Sequence, residues 1–237
     1  MTRSHAAASA RRAVGDPPPA ELRSRLLAAL EGLLAHRRFD AVSVADIVRA
    51  AGVSKASFYF YFASKQAVLA ELVRQAVRRG HEAAHPWTDP DADGLSDPME
   101  GLRLGITDGA RLWRENAGVL MAIVDSWGSD DELRVLWLDQ MNTFTEATVT
   151  RIEADPAALR HLGGADIRAT AAGLTWLGER LYYLAAAGVA PFDDPDVLIA
   201  TLINAWTTTL YGRSATGTGQ DRPAGVAARG DDSGAVK

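Results

Sequence analysis

Residues 81–85, His-Glu-Ala-Ala-His, form the pattern that points most directly to catalysis. On a helix, His81 and His85 share one face and could hold Zn²⁺, with Glu82 as the general base of a metalloprotease. The pattern falls just before Pro86, in a context typical of a helix end, and no third ligand at the spacing of the extended pattern is evident. We therefore expect no enzyme, no catalytic residues, no bound metal and no cofactor. A zinc metalloprotease, or zinc held by the His pair alone, remains the alternative.

A second concentration of functional side chains is SKASFYFYFASK, residues 54–65. It contains five of the eleven Phe and Tyr residues of the chain, between two of its three lysines. Alternation of Phe and Tyr is typical of a strand. We nevertheless predict a short helix, because the residues just before it have the pattern of a helix followed by a glycine turn.

That preceding pattern is a helix-turn-helix. Ser43 is a typical N-cap residue, and Asp46 three residues later can complete a variant of the capping box. Gly52 stands where a left-handed residue would end this first helix, and Ser54 can cap the second. The spacing favours a helix-turn-helix, although an uncommitted helical hairpin would share the same caps.

The aromatic run then has two faces. Phe58 and Phe62 are four residues apart, so we assign them to the core beneath the second helix. Tyr59, Phe60 and Tyr61 are expected to face outward, which is costly without a partner. Tyrosine hydroxyls can donate to phosphates, and an apolar ring can contact a thymine methyl group, so the outward face predicts a DNA partner.

Three polar residues flank this face. Lys55 and Ser57 lie in the first turn of the second helix, the part of a recognition helix that usually reaches base edges. Ser64 is a cap candidate, which places Lys65 at the positive end of the next helix. A bound DNA phosphate would offset the repulsion between the lysine charge and the positive end of the helix, although a solvated lysine would also be tolerated there.

The 237 residues allow one large domain or two small ones. The chain has no cysteine, no apolar run that could span a membrane and no signal peptide, which fits a cytoplasmic protein. Residues 1–82 hold 13 Lys/Arg against 7 Asp/Glu, and residues 83–237 hold 12 against 23. A basic N-terminal part on an acidic body suggests that a polyanion binds the first part alone.

We predict an all-α fold, because apolar residues recur at helical spacing throughout the folded part. Its N-terminal three-helix domain would carry the helix-turn-helix, and its C-terminal part would form a second helical domain. The predicted divisions are a disordered arm at 1–19, the DNA-binding domain at 20–84, the regulatory domain at 98–212 and a disordered tail at 213–237.

The second domain contains large apolar side chains at helical spacings, together with polar residues that could orient a ligand. Filling of an ordinary core is the alternative for each of them. The predicted ligand-binding residues are Trp113, Trp127, Trp137, Met141, Phe144, Thr175, Trp176, Glu179, Tyr183 and Trp206.

The segment SVADIVRAAGVSKASFYFYFASKQAVLAEL resembles the DNA-binding segment of the TetR/AcrR family of transcriptional regulators. Further resemblance in GERLYYLAAAG and LINAWTTTLYG is to the EthR-like branch. By this resemblance, Ser43 and Tyr59 hold phosphates, and Lys55, Ser57 and Phe60 approach bases. By the same resemblance, Tyr61 and Lys65 contact the sugar-phosphate backbone of the DNA. Many members have His where this chain has Tyr61, and either side chain can contact phosphate.

The resemblance also implies that the C-terminal helical domain is a ligand-binding and dimerisation domain, and it implies a mode of action. A homodimer formed through the last two helices would bind a palindromic, double-stranded operator as a repressor, and a small hydrophobic effector would release it. A constitutive DNA binder or an activator without ligand sensing remains the alternative.

Overall fold

The computed structural model describes residues 19–88 and 98–212, and every regular element within these ranges is helical. The prediction of an all-α fold is confirmed. The predicted tail and all but the last residue of the predicted arm lie outside the described residues. The elements are α1 Pro19–Leu34, a 3-10 turn Phe39–Ala41, α2 Val44–Ala51, α3 Lys55–Tyr61, α4 Lys65–Thr88, α5 Pro98–Glu115, α6 Ala117–Ser126, α7 Asp131–Glu153, α8 Pro156–Leu162, α9 Ile167–Ala186 and α10 Pro195–Tyr211.

Aspartates begin the four C-terminal helices. The side chains of Asp130, Asp155, Asp166 and Asp194 each accept a hydrogen bond from a backbone amide in the first turn of α7, α8, α9 and α10. A carboxylate at this position satisfies free amides and also complements the positive end of the helix. Local sequence therefore fixes where these helices start.

Two groups of buried residues form the interior. The first joins α1–α4 to α6, α7 and the end of α5, and it includes Phe58 of α3 together with Ile123 of α6. The second joins α5, the end of α7 and α8–α10, and Trp87 at the end of α4 belongs to it. Helices α1–α3, which we call the reading head, therefore share a core with the C-terminal part and are not packed separately from it.

Helix α4 crosses the predicted domain boundary. It continues through residues 84 and 86 to Thr88, where the sequence pattern suggests a helix end before Pro86. The buried side chain of Trp87 explains the difference, because packing in the second core holds the last turn in place. The same helix thus contacts both the reading head and the C-terminal part.

A second close contact joins these two parts at Gly118, near the start of α6. A Cβ atom at this position would stand 2.5 Å from the carbonyl oxygen of Leu34, the last residue of α1. Only glycine allows this approach, because any larger residue would require the two helices to separate. The end of the reading head is thereby pressed against α6.

Candidate nucleic-acid interface and aromatic pocket

The aromatic run forms helix α3, as predicted. Phe58 and Phe62 are buried, whereas Tyr59 and Phe60 are 52% and 79% exposed. Tyr61 differs from the expectation of three outward rings, because it is half-buried against the first core and packs edge-on against Phe60. Two adjacent aromatic side chains therefore project from the reading head.

The turn before α3 has the predicted helix-turn-helix geometry. Gly52 adopts a left-handed conformation, with φ of 62°, and ends α2. Arg25 of α1 donates to the carbonyl oxygens of Ala51 and Gly52, at 2.6 and 3.3 Å. The Ser54 side chain accepts from the Ser57 amide at 3.0 Å and begins α3. These contacts fix the angle between the two helices.

Ser43 and Asp46 form the capping box that the sequence predicts. The Ser43 hydroxyl accepts from the Asp46 amide at 3.1 Å and donates to the Asp46 carboxylate at 2.6 Å. The hydrogen bonds from the Ser43 hydroxyl and amide are the main reason that the pKa of Asp46 falls to about 2. The hydroxyl hydrogen of Ser43 is thus already used within the protein.

Lys65 has intramolecular partners that the sequence does not indicate. Its ammonium donates to the carbonyl oxygens of Phe39 and Val42, at 2.8 and 2.7 Å, and lies 4.5 Å from the centre of the Phe39 ring. Burial lowers the pKa of Lys65, and the nearby Asp40 carboxylate opposes this shift. The carbonyl groups around the 3-10 turn therefore resolve the unfavourable helix position without a phosphate.

The other polar residues of the predicted DNA contacts lie on the same side of the reading head. Lys55 is exposed, with its ammonium 5.9 Å from the centre of the Tyr59 ring. Ser57 is half-buried, and its hydroxyl lies 2.8 Å from that of Ser54. Tyr59 also borders a shallow surface depression together with Ser43 and Lys65. The fold thus brings together residues that are 22 positions apart in the chain.

The C-terminal part contains a cavity of about 190 Å³, which we call the aromatic pocket. Seven of the ten predicted ligand-binding residues line it, namely Trp113, Trp137, Met141, Phe144, Thr175, Glu179 and Trp206. Residues that sequence reasoning missed complete the wall: Gly80, Trp87, Leu102, Gly105, Ile106, Gly109, Leu112, Ala147, Thr148, Gly178 and Tyr182.

Glycines on α5 provide room beside this pocket. A Cβ atom at Gly109 would stand 2.8 Å from the hydroxyl oxygen of Tyr182, and one at Gly105 would stand 3.3 Å from Trp87. Their four-residue spacing places both glycines on one face of α5, and this is the signal that could have indicated a cavity there.

Trp127, Trp176 and Tyr183 do not line the aromatic pocket. The rings of Trp127 and Trp176 pack against each other, with centroids 6.3 Å apart. The Tyr183 hydroxyl donates to the Asp125 carboxylate of α6 at 2.7 Å. Asp125 also lies 3.5 Å from the guanidinium of Arg38, which follows α1. Tyr183 therefore joins a polar link between α9 and the reading head.

Polar atoms in the pocket wall have few partners. The oxygens of the Glu179 carboxylate, the Thr175 hydroxyl and the indole nitrogen of Trp137 are buried, without a hydrogen bond of regular geometry among the described residues. Burial raises the pKa of Glu179, whereas Arg180 and the Trp137 indole lower it. Tyr182, in contrast, donates to the carbonyl oxygen of Ile106 at 3.0 Å.

The His81 and His85 side chains lie outside the described residues, although their backbone belongs to α4. Within residues 19–88 and 98–212, no three His, Cys, Asp or Glu side chains whose positions are described come together as a metal site would require. The helices described here also include none that is long and apolar enough to cross a membrane.

Comparison with known proteins gives two family matches. Residues 26–72 match the family described as bacterial regulatory proteins, tetR family. Residues 102–212 match the C-terminal domain of the transcriptional regulator EthR. The first match contains the whole helix-turn-helix, and the second contains most of the wall of the aromatic pocket.

Individual proteins agree with these matches. The chain is 30% identical over 192 residues to the HTH-type transcriptional regulator EthR of Mycobacterium tuberculosis, covering 80% of this chain and 87% of that protein. EthR of Mycolicibacterium smegmatis is 29% identical over 197 residues, covering 81% and 88%. The crystal structure of Pseudomonas aeruginosa NalD has a TM-score of 0.65 at 20% identity, covering 81% of this chain and 98% of that chain. The chain therefore belongs to the tetR family of bacterial regulatory proteins, in its EthR-like branch, and it is a DNA-binding transcriptional regulator and not an enzyme.

Proposed function

We propose that the protein is a cytoplasmic repressor that binds a palindromic operator as a homodimer and is released by a small hydrophobic effector. The course of helix α4 carries this proposal. Lys65 at its first turn is bonded to the reading head, whereas Gly80 and Trp87 line the aromatic pocket. Along the helix axis, Lys65 and Gly80 are roughly 22 Å apart. A ligand that displaces the end of α4 would therefore displace the reading head as well.

The exposed side chains of α3 would read the DNA. Phe60 is suited to contact thymine methyl groups, and Lys55 to approach base edges from the first turn of the helix. The Tyr59 hydroxyl would donate to a phosphate oxygen. These three side chains are exposed and available without any rearrangement of the reading head.

The remaining proposed contacts are Ser43, Ser57, Tyr61 and Lys65, which have intramolecular partners. Ser43 and Lys65 would have to exchange a hydrogen bond to Asp46 or to the 3-10 turn for one to phosphate. We therefore place these four residues at the edge of the contact surface. There they would orient the DNA backbone and contribute less to affinity than Lys55.

The outward faces of α9 and α10 support the proposed dimer. Ala169 and Gly173 of α9 are exposed, as are Thr201, Asn204 and Thr208 of α10. Such small and weakly polar residues allow helices of two protomers to approach closely. A symmetric pair would place two reading heads about 34 Å apart, or a multiple of that distance, and so match a palindrome.

Release would follow from different ligand affinities of two conformers. The ligand would favour a conformer whose reading heads no longer match the two half-sites, and would bind less well to the DNA-bound form. Coupling of this kind typically amounts to about 1–3 kcal/mol, which weakens operator binding roughly 5- to 150-fold.

The proposal is tested by fluorescence anisotropy with DNA from the region upstream of the gene and with unrelated DNA of equal length. We expect tight binding to a palindromic segment, and weaker binding when arylalkyl esters, alcohols or amines saturate the protein. If saturating concentrations of these ligands leave operator affinity unchanged, release by this class of ligand is refuted, and a constitutive binder or an activator without ligand sensing is favoured.

The dimer is tested by light scattering of Thr201→Arg on α10, with Thr107→Arg on α5 as the matched control. Both positions are exposed in the single chain. We expect Thr201→Arg to be monomeric and to bind single half-sites only, while Thr107→Arg stays dimeric. Dimers in both variants would place the interface elsewhere.

A further inference from the structure

The wall of the aromatic pocket contains a buried acid. Glu179 of α9 is 5% exposed, and no hydrogen bond of regular geometry reaches either of its carboxylate oxygens among the described residues, although the Trp137 indole faces them. The Nε atom of Arg180 lies 3.8 Å from one of them, which is too long for a hydrogen bond. The guanidinium of Arg180 also lies over the Tyr183 ring, at 5.2 Å, with about half of the side chain exposed.

A buried carboxylate without hydrogen bonds is costly, because the protein does not replace the water that it loses. Folded proteins contain few such groups, and each one needs an explanation. In a pocket that is open to a ligand, the missing partner can be part of the ligand. The ligand would then supply the hydrogen-bond donor, or the positive charge, that the wall lacks.

The rest of the wall suits a cation with an apolar body. Trp113 and Tyr182 stack with ring centroids 6.2 Å apart, and Trp87 meets Trp206 edge-on at 6.0 Å. Faces of aromatic rings attract ammonium groups, and the Glu179 carboxylate adds a negative charge to the same wall. The described lining residues include no Lys, Arg or His, and the nearest guanidinium groups lie behind the wall, with Arg151 5.0 Å from the centre of the Trp87 ring and Arg180 3.8 Å from Glu179.

We propose that the aromatic pocket binds a hydrophobic amine, whose protonated nitrogen donates to the Glu179 carboxylate while its apolar body fills the space between the tryptophans. The cavity of about 190 Å³ is larger than an apolar cavity of about 150 Å³ that holds benzene, so a single ring with a short chain fits. The Thr175 hydroxyl provides a second polar contact on the same wall.

A neutral ligand would satisfy the buried carboxyl group in a different way, because a protonated Glu179 would donate a hydrogen bond to a ligand carbonyl. The two modes of ligand binding differ in how their affinity depends on pH. An amine complex strengthens as Glu179 loses its proton with rising pH, provided that the amine stays charged. A carbonyl complex weakens over the same range. Arg180 and Trp137 face the carboxylate and are present in both cases.

The experiment is calorimetric titration of the purified protein with phenylbutylamine, phenylbutanol and phenylbutanoic acid, which share one hydrophobic body. Glu179→Gln keeps the size of the side chain and removes its charge. The matched control is Glu153→Gln, which lies at the exposed end of α7 and is not part of the pocket wall. Urea denaturation verifies that each variant is folded.

For the unchanged protein we expect the amine to bind at least about tenfold more tightly than the alcohol, since a charged hydrogen bond is gained. The acid should bind worst of the three. Glu179→Gln should remove the preference for the amine, and Glu153→Gln should keep it. Equal binding of amine and alcohol, failure of the amine to bind, or a preference that survives in Glu179→Gln would each overturn the proposal.

The proposed amine site depends on the proposed function in one respect only, namely that this ligand is taken to be the effector that releases DNA. Adding operator DNA to the same titrations separates the two claims. Glu179-dependent amine binding that leaves operator affinity unchanged would support the site and refute release by this ligand. Release by the alcohol alone would support the proposed function and overturn the preference for an amine.

Discussion

Replacing Lys65 with methionine should destabilise the fold, whereas the same replacement at Lys55 should weaken DNA binding and leave stability unchanged. The two lysines flank one aromatic run, but their surroundings differ. Lys65 donates two short hydrogen bonds, to Phe39 and Val42, whereas Lys55 is exposed. Methionine keeps the apolar stem in both cases and removes only the charge and the donors.

The magnitude follows from the bonds that are lost. A hydrogen bond to a charged group contributes about 1.5–3 kcal/mol, and partial exposure of Lys65 places its two bonds at the lower end of that range. We therefore expect the free energy of unfolding to fall by about 2–3 kcal/mol in Lys65→Met. The Tm should fall by roughly 4–12 °C, given the length of the chain. For Lys55→Met, the change should stay within about 0.5 kcal/mol.

The assays are urea denaturation followed by tryptophan fluorescence, and operator titrations over a salt series. Loss of one phosphate contact lowers the slope of log affinity against log salt by about 0.9. We expect Lys55→Met to weaken operator binding at every salt concentration, whereas folded Lys65→Met should lose at most a fraction of one phosphate contact, because its ammonium is already held by the 3-10 turn. A Lys65→Met variant of unchanged stability that shows the full slope loss of about 0.9 would refute our reasoning and identify Lys65 as primarily a phosphate ligand.

Three further predictions concern single residues. Gly52→Ala should lower the free energy of unfolding by about 1–2 kcal/mol in urea denaturation, because its left-handed backbone disfavours a Cβ atom; an unchanged midpoint would contradict this. Because burial raises the folded-state pKa of Glu179, the native state keeps its proton to higher pH than the unfolded state, so stability should fall as the pH rises above the usual range of a glutamate carboxyl group. Glu179→Gln should lack this fall in pH-dependent denaturation, and equal pH profiles would contradict it. Tyr183→Phe, which removes the bond to Asp125, should reduce the effect of ligand on operator affinity while the ligand Kd is unchanged; a loss of ligand binding instead would place Tyr183 in the pocket.

The parts of the reading head that depend on short-range sequence could be predicted. The capping box of Ser43 and Asp46 and the left-handed Gly52 follow from residue types at fixed offsets. Burial of Phe58 and Phe62 follows from their spacing on one face. Each of these features requires only a few neighbouring residues, so the sequence pattern is sufficient.

Features that depend on tertiary contacts could not be predicted. Lys65 finds its acceptors in a turn 23 to 26 residues earlier, and nothing in its own neighbourhood indicates that turn. Tyr182 lines the pocket and Tyr183 does not, although both are tyrosines on α9. Adjacent helical residues point about 100° apart, so the rotation of α9 in the fold decides which of them meets a ligand. Trp87 was missed because it lies beyond the predicted boundary.

The central claim is that the exposed face of α3 reads DNA. It is tested most directly by the affinity of Phe60→Ala for a selected operator fragment, compared with the unchanged protein and with Val135→Ala, an exposed apolar residue of α7. We predict that Phe60→Ala weakens operator binding about tenfold, in line with the 1–3 kcal/mol carried by a good base contact. Its stability should change by less than about 0.5 kcal/mol, and Val135→Ala should bind as the unchanged protein does. Unaltered operator affinity in Phe60→Ala would contradict the account, because the most exposed aromatic ring of the reading head would then have no part in recognition.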